Sequence, residues 1–336
     1  MKRPGHGGEL LKVAREYGIA PERWLDLSTG INPQGWPVPS LPAECWQRLP
    51  QEDDGLFEAA RRYYGTPQLL PVAGSQAAIQ ALPRLRAFSR VGMLFPAYAE
   101  HAHAWQREGH EVVALSAGTI EEYLPRLDVL LLINPNNPTG ERFTKEQLLA
   151  WHRRLAGRGG WLVVDEAFID ATPEESIAPT CGKKGLVVLR SLGKFFGLAG
   201  ARVGFLLAWP ELLRRMQALL GPWGVAGPSR EVARLALEDI SWQQETRKRL
   251  LNDGRRLAGL LSDSGLTPGG GSALFQYCPT EQAQQLYQQF AAQGILLRYF
   301  AEPAALRFGL PGSEAQWQRL ESLPAELFNQ PMEACR

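Results

Sequence analysis

Val129-Leu-Leu-Leu-Ile133, followed at once by Asn134-Pro-Asn-Asn-Pro-Thr-Gly140, is the stretch whose reading decides the fold. An unbroken run of branched apolar residues has no polar alternation, so a strand built from it must be covered on both faces, as in a parallel sheet. The prolines and glycine that follow end the strand and fix an irregular loop. Runs of the same kind recur at Val91 to Phe95, Trp161 to Val164, Leu186 to Leu189 and Val203 to Leu207, with longer amphipathic stretches between them. This alternation predicts an α/β core with a mostly parallel central sheet flanked by helices.

Beyond the core, Gly221-Pro-Trp-Gly-Val-Ala-Gly-Pro228 is a cluster of breakers, and a long helical segment starts near Ser229 with Val232, Leu235 and Ala236 on one face. A strand near Ala273 to Tyr277, a helix from Thr280 to Gln293, two strands around Leu296 and Leu306 and a last helix after Ser313 complete a smaller α+β domain. At the other end, Glu9 to Tyr17 reads as a short helix and Trp24 to Leu27 as extended chain, too little to fold alone. The expected division is residues 1–30 as an N-terminal segment packing on the small domain and the site, 31–222 as the large cofactor-binding domain, and 223–336 as the small C-terminal domain.

The 336 residues carry a formal net charge of +1 and are 45% hydrophobic and 21% charged. No basic run is interleaved with aromatics, which argues against a nucleic-acid surface. The basic start, Met1-Lys2-Arg3-Pro4, has no apolar run after it, and the longest apolar runs are far short of a bilayer span. A cytoplasmic enzyme acting on a small molecule, without membrane contact, is expected. Cys45, Cys181, Cys278 and Cys335 lack metal-ligand spacing, and disulfides are not expected among them. His101, His103 and His110 have no cluster of carboxylates or cysteines to complete a metal site, and read as solvent-exposed.

Ligands of parallel α/β sheets bind beyond the carboxyl ends of the strands, so the polar residues placed there are the candidates. Lys194, in Ser191-Leu-Gly-Lys194, is one of 7 lysines against 29 arginines and sits among Leu192, Gly193, Phe195 and Phe196. Such surroundings lower an amine pKa and suit it to bind a carbonyl cofactor covalently, with Ser191 and Arg202 on an anion nearby; read alone, it is equally a lysine that snorkels out of a helix. Asp165 ends a buried strand and needs a partner: a protonated pyridine nitrogen is one, a helix N-cap or an arginine another. Gly74-Ser75-Gln76 opens a helix whose first amides suit a phosphate, unless Ser75 simply caps it. Asn137 suits a phenolate oxygen or a turn, and Tyr98 a stacked ring or the core. Together these groups answer every functional part of pyridoxal phosphate.

In this order the motifs resemble the aspartate aminotransferase-like superfamily of pyridoxal-phosphate enzymes, fold type I, the class I and II aminotransferases. The resemblance covers nearly the whole chain. It implies that Lys194 binds the cofactor covalently and shuttles protons, that Gly74, Ser75, Gln76, Ser191 and Arg202 hold its phosphate, that Asp165 pairs with the pyridine nitrogen and Asn137 with the phenolate, and that Tyr98 stacks. It further implies Arg307, in Leu306-Arg-Phe-Gly309, for the substrate carboxylate with help from Asn32, and a homodimer.

A narrower resemblance is to the threonine-phosphate decarboxylases of cobalamin biosynthesis, themselves akin to histidinol-phosphate aminotransferases. His6-Gly7-Gly8, Asp26-Leu-Ser-Thr-Gly-Ile-Asn-Pro33 and Asp165-Glu-Ala-Phe-Ile-Asp170 carry it. It implies a lyase that decarboxylates O-phospho-L-threonine to (R)-1-amino-2-propanol O-2-phosphate, the linker of the cobalamin nucleotide loop, with the substrate phosphate taken by the amides of His6, Gly7 and Gly8 or by Arg298. Histidinol-phosphate transamination is the enzymatic alternative and a cofactor-binding regulator the non-enzymatic one; a partner enzyme of the cobalamin pathway is left open. Two departures stand out. Phe168 replaces a tyrosine that many relatives place three residues after the aspartate, leaving the phenolate to Asn137. Leu49, in Arg48-Leu-Pro50, stands where relatives often have a tyrosine that reaches the neighbouring subunit's cofactor phosphate; either another group such as Tyr63 or Tyr64 takes over that task or the alignment slips here.

Overall fold

The computed structural model describes residues 5–323. They gather into two compact units: a larger one of Gly35–Asn137 and Glu141–Arg247, and a smaller one made of the described chain up to Gln34, Pro138–Gly140, and the described chain from Lys248 onward. Helix α1 (Leu10–Tyr17) and strand β1 (Leu25–Asp26) open the smaller unit. The larger unit follows with α2 (Glu44–Gln47), α3 (Leu56–Tyr64), β2 (Leu69–Val72), α4 (Ser75–Ala81), β3 (Arg90–Leu94), α5 (Ala99–Arg107), β4 (Glu111–Leu115) and α6 (Ile120–Tyr123). It continues through β5 (Val129–Ile133), α7 (Lys145–Ala156), β6 (Trp161–Asp165), β7 (Leu186–Ser191), β8 (Gly204–Leu207), α8 (Pro210–Leu220) and α9 (Gly227–Glu238).

The larger unit is built on one sheet of order β2-β8-β7-β6-β5-β3-β4. Strands β3, β5, β6 and β7 are parallel, as the apolar runs predict, with β4 added in parallel at the edge, and every residue of β5 and β6 is buried. Val203 to Leu207 departs from the expectation: β8 runs antiparallel to both β7 and β2. Between β7 and β8 lies a loop without a crossover α-helix, and a parallel return needs such a crossover. Helices α4 and α8 cover one face through Ile79, Ala81, Leu212 and Met216, packed with Val91, Leu131, Val163, Val187 and Leu206.

The long helix expected from Ser229 is two helices, α9 and α10 (Ile240–Asp263), broken at Asp239. The Asp239 carboxylate accepts hydrogen bonds from the Trp242 amide (3.1 Å) and the Trp36 indole (3.0 Å), so it caps the second helix while tying down the chain that enters the larger unit. Helix α9 packs on α3, and Arg230 forms an ion pair with Asp54, which keeps this segment in the larger unit. Apart from Pro138–Gly140, the units change over at 34/35 and 247/248, where the sequence suggests 30/31 and 222/223.

In the smaller unit follow β9 (Gly270–Ser272), β10 (Phe275–Pro279), α11 (Ala283–Ala292), β11 (Ile295–Leu296), β12 (Arg298–Ala301), β13 (Ala304–Gly309) and α12 (Glu314–Glu321). Four of these strands form an antiparallel sheet of order β12-β13-β10-β9, while β1 pairs in parallel with β11 and α1 packs Val13 and Ala14 with Trp24, Ala291 and Leu296. Among the described residues no helix is long and apolar enough to cross a membrane, and no cluster of His, Cys, Asp or Glu is placed to hold a metal ion. Cys45, Cys181 and Cys278 are free thiols, and Cys335 lies outside the described residues.

Since β6 is the central strand and carries Asp165, its packing sets the site. Leu162→Ala, at a fully buried position, is expected to cost about 2–5 kcal/mol of stability, read as a lower denaturation midpoint with an unchanged folded-state spectrum.

Candidate active site

Three parallel strands deliver polar residues at their carboxyl ends, and a cavity of about 130 Å³ opens there, lined by Asn137 after β5, by Asp165 and Phe168 at and after β6, and by Ser191 and Lys194 at and after β7. Ser75, Gln76, Tyr98 and Arg202 complete its wall. Two larger hollows of the same unit, about 740 and 550 Å³, do not gather this chemistry.

Each group is held by local structure. Asn134 exchanges hydrogen bonds with the Phe143 backbone (2.9 and 3.1 Å) and the Asn136 side-chain amide donates to the Pro96 carbonyl (2.9 Å), so the loop is fixed on the approach to Asn137. The Lys194 loop folds back on itself: the Leu198 amide donates to the Leu192 carbonyl at 3.1 Å, and the Gly193 amide to the Ser191 hydroxyl at 3.2 Å. The Lys194 ammonium stands 5.3 Å from the centre of the Phe168 ring, within cation–π range.

Asp165 has a partner that the sequence hid. His101, on α5, contacts Asp165 Oδ2 through Nε2 at 2.9 Å, and the Ala167 amide donates to Oδ1 at 3.0 Å. The expectation of solvent-exposed histidines fails here: His101 is 1% exposed, and His110 is also buried, against the Pro83 carbonyl. An amphipathic period would have put His101, three residues after Tyr98, on the covered face of α5, but nothing in the chain points to a partner so distant in sequence.

At the other end of the cavity Gly74 has φ +71°, and a Cβ there would lie 2.5 Å from an Arg202 guanidinium nitrogen; a Cβ on Gly204 would lie 2.4 Å from the Ser75 amide. Only glycines allow Arg202, the start of α4 and the start of β8 to come this close. Arg202 itself adopts a left-handed backbone, φ 53°, and donates to the Ala199 carbonyl at 3.1 Å. The result is a cradle of one guanidinium, the Ser75 and Ser191 hydroxyls and helix-start amides, which fits a phosphate. Gln76 lines the cavity, yet its amide donates to Glu100 at 2.7 Å and its carbonyl accepts from the Tyr98 hydroxyl at 3.4 Å, so it serves to orient Tyr98. Burial, then the charges of Glu100 and Asp165, push the Tyr98 phenol up to about 12, with Arg202 pulling the other way. The Tyr63 hydroxyl donates to Asp170 at 2.9 Å, and Tyr64 is buried beneath the Arg190 guanidinium.

The smaller unit holds the remaining candidates. Arg298 and Arg307 are direct partners across β12 and β13, two like charges on one face. Arg307 is buried, donates to the Ser28 carbonyl at 2.9 Å and lies 5.1 Å from the Phe275 ring; burial first and Arg298 second push its pKa down to about 9. Arg298 donates to the Gly5 carbonyl at 2.6 Å. Gly7 approaches Ser28 so closely that a Cβ would lie 2.3 Å from its carbonyl oxygen, and the Gly8 amide donates to the Ser28 hydroxyl at 2.8 Å. His6 is exposed, and the buried Asn32 accepts from the Gln34 amide (3.0 Å) and Arg249 (3.3 Å).

A family model described as aminotransferase class I and II matches residues 49–321. The chain belongs to the class I and II aminotransferase family. Among relatives within and around this family, it is 54% identical to a threonine-phosphate decarboxylase of Pseudomonas aeruginosa over 94% of this chain and 96% of that one. It is 39% identical to a threonine-phosphate decarboxylase of Sinorhizobium over 96% and 98%. Among solved structures of this aminotransferase fold, the histidinol-phosphate aminotransferase of Sinorhizobium meliloti in complex with pyridoxal-5'-phosphate superposes with a TM-score of 0.81 at 21% identity, covering 98% of this chain and 95% of that one.

Replacing His101 by Leu leaves the Asp165 carboxylate buried without its ring partner. A hydrogen bond to a charged group contributes about 1.5–3 kcal/mol, so ligands held by Asp165 should bind about tenfold or more weakly, measured by titrating the protein with pyridoxal phosphate. Gly74→Ala forces a strained φ and a contact with Arg202, and should weaken the same titration while free phosphate no longer competes.

Proposed function

We propose that the protein is a pyridoxal-phosphate-dependent lyase that converts O-phospho-L-threonine to (R)-1-amino-2-propanol O-2-phosphate, supplying the nucleotide-loop linker of cobalamin. The observation that carries the reading is 54% identity to a threonine-phosphate decarboxylase across nearly the full length of both chains. The opposed Arg298 and Arg307 agree with it, because a substrate bearing both a phosphate and a carboxylate relieves their repulsion. We further read the protein as a cytoplasmic homodimer.

Lys194 would hold the cofactor covalently, with Ser75, Ser191 and Arg202 for its phosphate, Asn137 for its phenolate oxygen and the Tyr98 ring for its face, residues that line one cavity. Asp165, oriented by His101 and the Ala167 amide, holds the proton on the ring nitrogen. Pyridoxal phosphate, when bound, supplies an electron-withdrawing ring that accepts the electron pair released as the bond between the α-carbon and the carboxylate breaks. Arg307 and Arg298 take the two anionic ends of the substrate, and so decide which bond at the α-carbon is presented for cleavage. Lys194 Nζ would donate one proton to the α-carbon in place of the carboxylate lost as carbon dioxide, and would be reprotonated from solvent, so that one proton is consumed per turnover. Phe168 and Tyr98 keep water from the reacting atoms.

The holoenzyme should release one carbon dioxide per O-phospho-L-threonine consumed and form no keto product from histidinol phosphate with 2-oxoglutarate. The opposite pattern would establish an aminotransferase instead. Lys194→Ala should abolish turnover. Arg307→Leu should lower kcat/KM about ten- to a hundredfold, the loss of a charge-assisted hydrogen-bond pair.

A further inference from the structure

A second set of buried charges adjoins the site and takes no part in the chemistry above. Glu166, Asp170 and Arg190 are at most 2% exposed. Glu166 is the residue after Asp165 and Arg190 the residue before Ser191, on neighbouring strands whose register sets Asp165 against Leu189. Side chains alternate between the faces of a strand, and the cavity wall accordingly includes Asp165 and Ser191 but neither Glu166 nor Arg190.

Arg190 is the centre of this set. Its Nη1 donates to Glu166 and to the Ser176 hydroxyl, both at 2.9 Å, and its Nη2 donates to Asp170. Glu166 also receives the Ile177 amide at 2.8 Å, and Asp170 receives the Tyr63 hydroxyl at 2.9 Å. Arg247 closes the far side, donating to the Asp170 carbonyl at 3.0 Å and standing 5.6 Å from the Phe195 ring. The Tyr63 ring lies 5.6 Å from that of Phe196. Phe195 and Phe196 directly follow Lys194. The network thus touches the chain next to three of the groups assigned to the cofactor: beside Asp165, beside Ser191 and beside Lys194.

Buried ion pairs are seldom more stabilising than well-packed apolar side chains of the same volume, because desolvation offsets the attraction. Their directional bonds do fix geometry. We propose that Glu166, Asp170, Arg190 and Tyr63 are positioning residues, a hydrogen-bonded network that locks the ends of β6 and β7 and the Lys194 loop so that Asp165, Ser191 and Lys194 meet the cofactor in one orientation. The proposal rests on the cofactor assignment above and is independent of which substrate is used.

The test compares holoenzymes of Tyr63→Phe, Asp170→Asn and Arg190→Lys with the wild type and with Asp54→Asn, which weakens a different ion pair of the same unit. Well below each melting midpoint, two readouts report site geometry without turnover: the visible circular dichroism per bound cofactor, and the rate of cofactor release into a trap. Asp170→Asn and Arg190→Lys should lose about half of the band and release cofactor about tenfold faster, a single charge-assisted bond's worth. Arg190→Lys fails to rescue because an ammonium cannot fork between two carboxylates. Asp54→Asn should match the wild type. If Tyr63→Phe and Asp170→Asn keep wild-type dichroism and release, or if Asp54→Asn alters both as much as they do, the network has no positioning role and the proposal is overturned. Should the charge variants fail to fold, Tyr63→Phe, which removes one hydroxyl, decides alone. A wild-type protein that takes up no pyridoxal phosphate would instead overturn the proposed function.

Discussion

Asp165 and Glu166 are two adjacent carboxylates buried at the end of the central strand, and the protein must pair both. An ionised carboxylate without a partner in such a place costs several kcal/mol. Since neighbouring residues of a strand face opposite ways, one partner cannot serve both. Asp165 takes His101 from the helix over one face, while Glu166 takes Arg190, Ser176 and the Ile177 amide on the other. The strand end is therefore pinned from two sides.

The rest of the site follows from the same placement. Parallel strands β5, β6 and β7 end at one level, so the residues just past them, Asn137, Phe168 and Lys194, border one cavity without any long-range loop. Where the sheet turns antiparallel at β8, two glycines bring Arg202 and the first turn of α4 within contact. Ser75, Ser191 and Arg202 thus meet at the border between the parallel and antiparallel parts of the sheet.

Much of this was legible in the chain. The unbroken apolar runs mark the parallel strands because burial on both faces leaves no room for alternation, and the polar residues after them, Asn137, Asp165 and Lys194, line the cavity as read. The direction of β8 was not legible, since an apolar run is the same forwards and backwards. Strand β4 escaped notice because, at the sheet edge, only Leu115 of its residues is buried. The break at Asp239 was hidden because a cap is recognised by what it binds, here the Trp36 indole. His101 and Arg190 escaped for a common reason: each is paired with a residue whose proximity only the folded sheet creates, and in sequence each looks like an ordinary helix or strand position.

The account stands on Lys194 as the covalent anchor of pyridoxal phosphate. The most direct measurement is borohydride reduction of the cofactor-loaded protein, followed by peptide mass spectrometry. The account predicts a single pyridoxyl-phosphate adduct, on the peptide containing Lys194, in stoichiometric yield. An adduct on another lysine, or a Lys194 peptide recovered unmodified from protein that carries the cofactor, would contradict it.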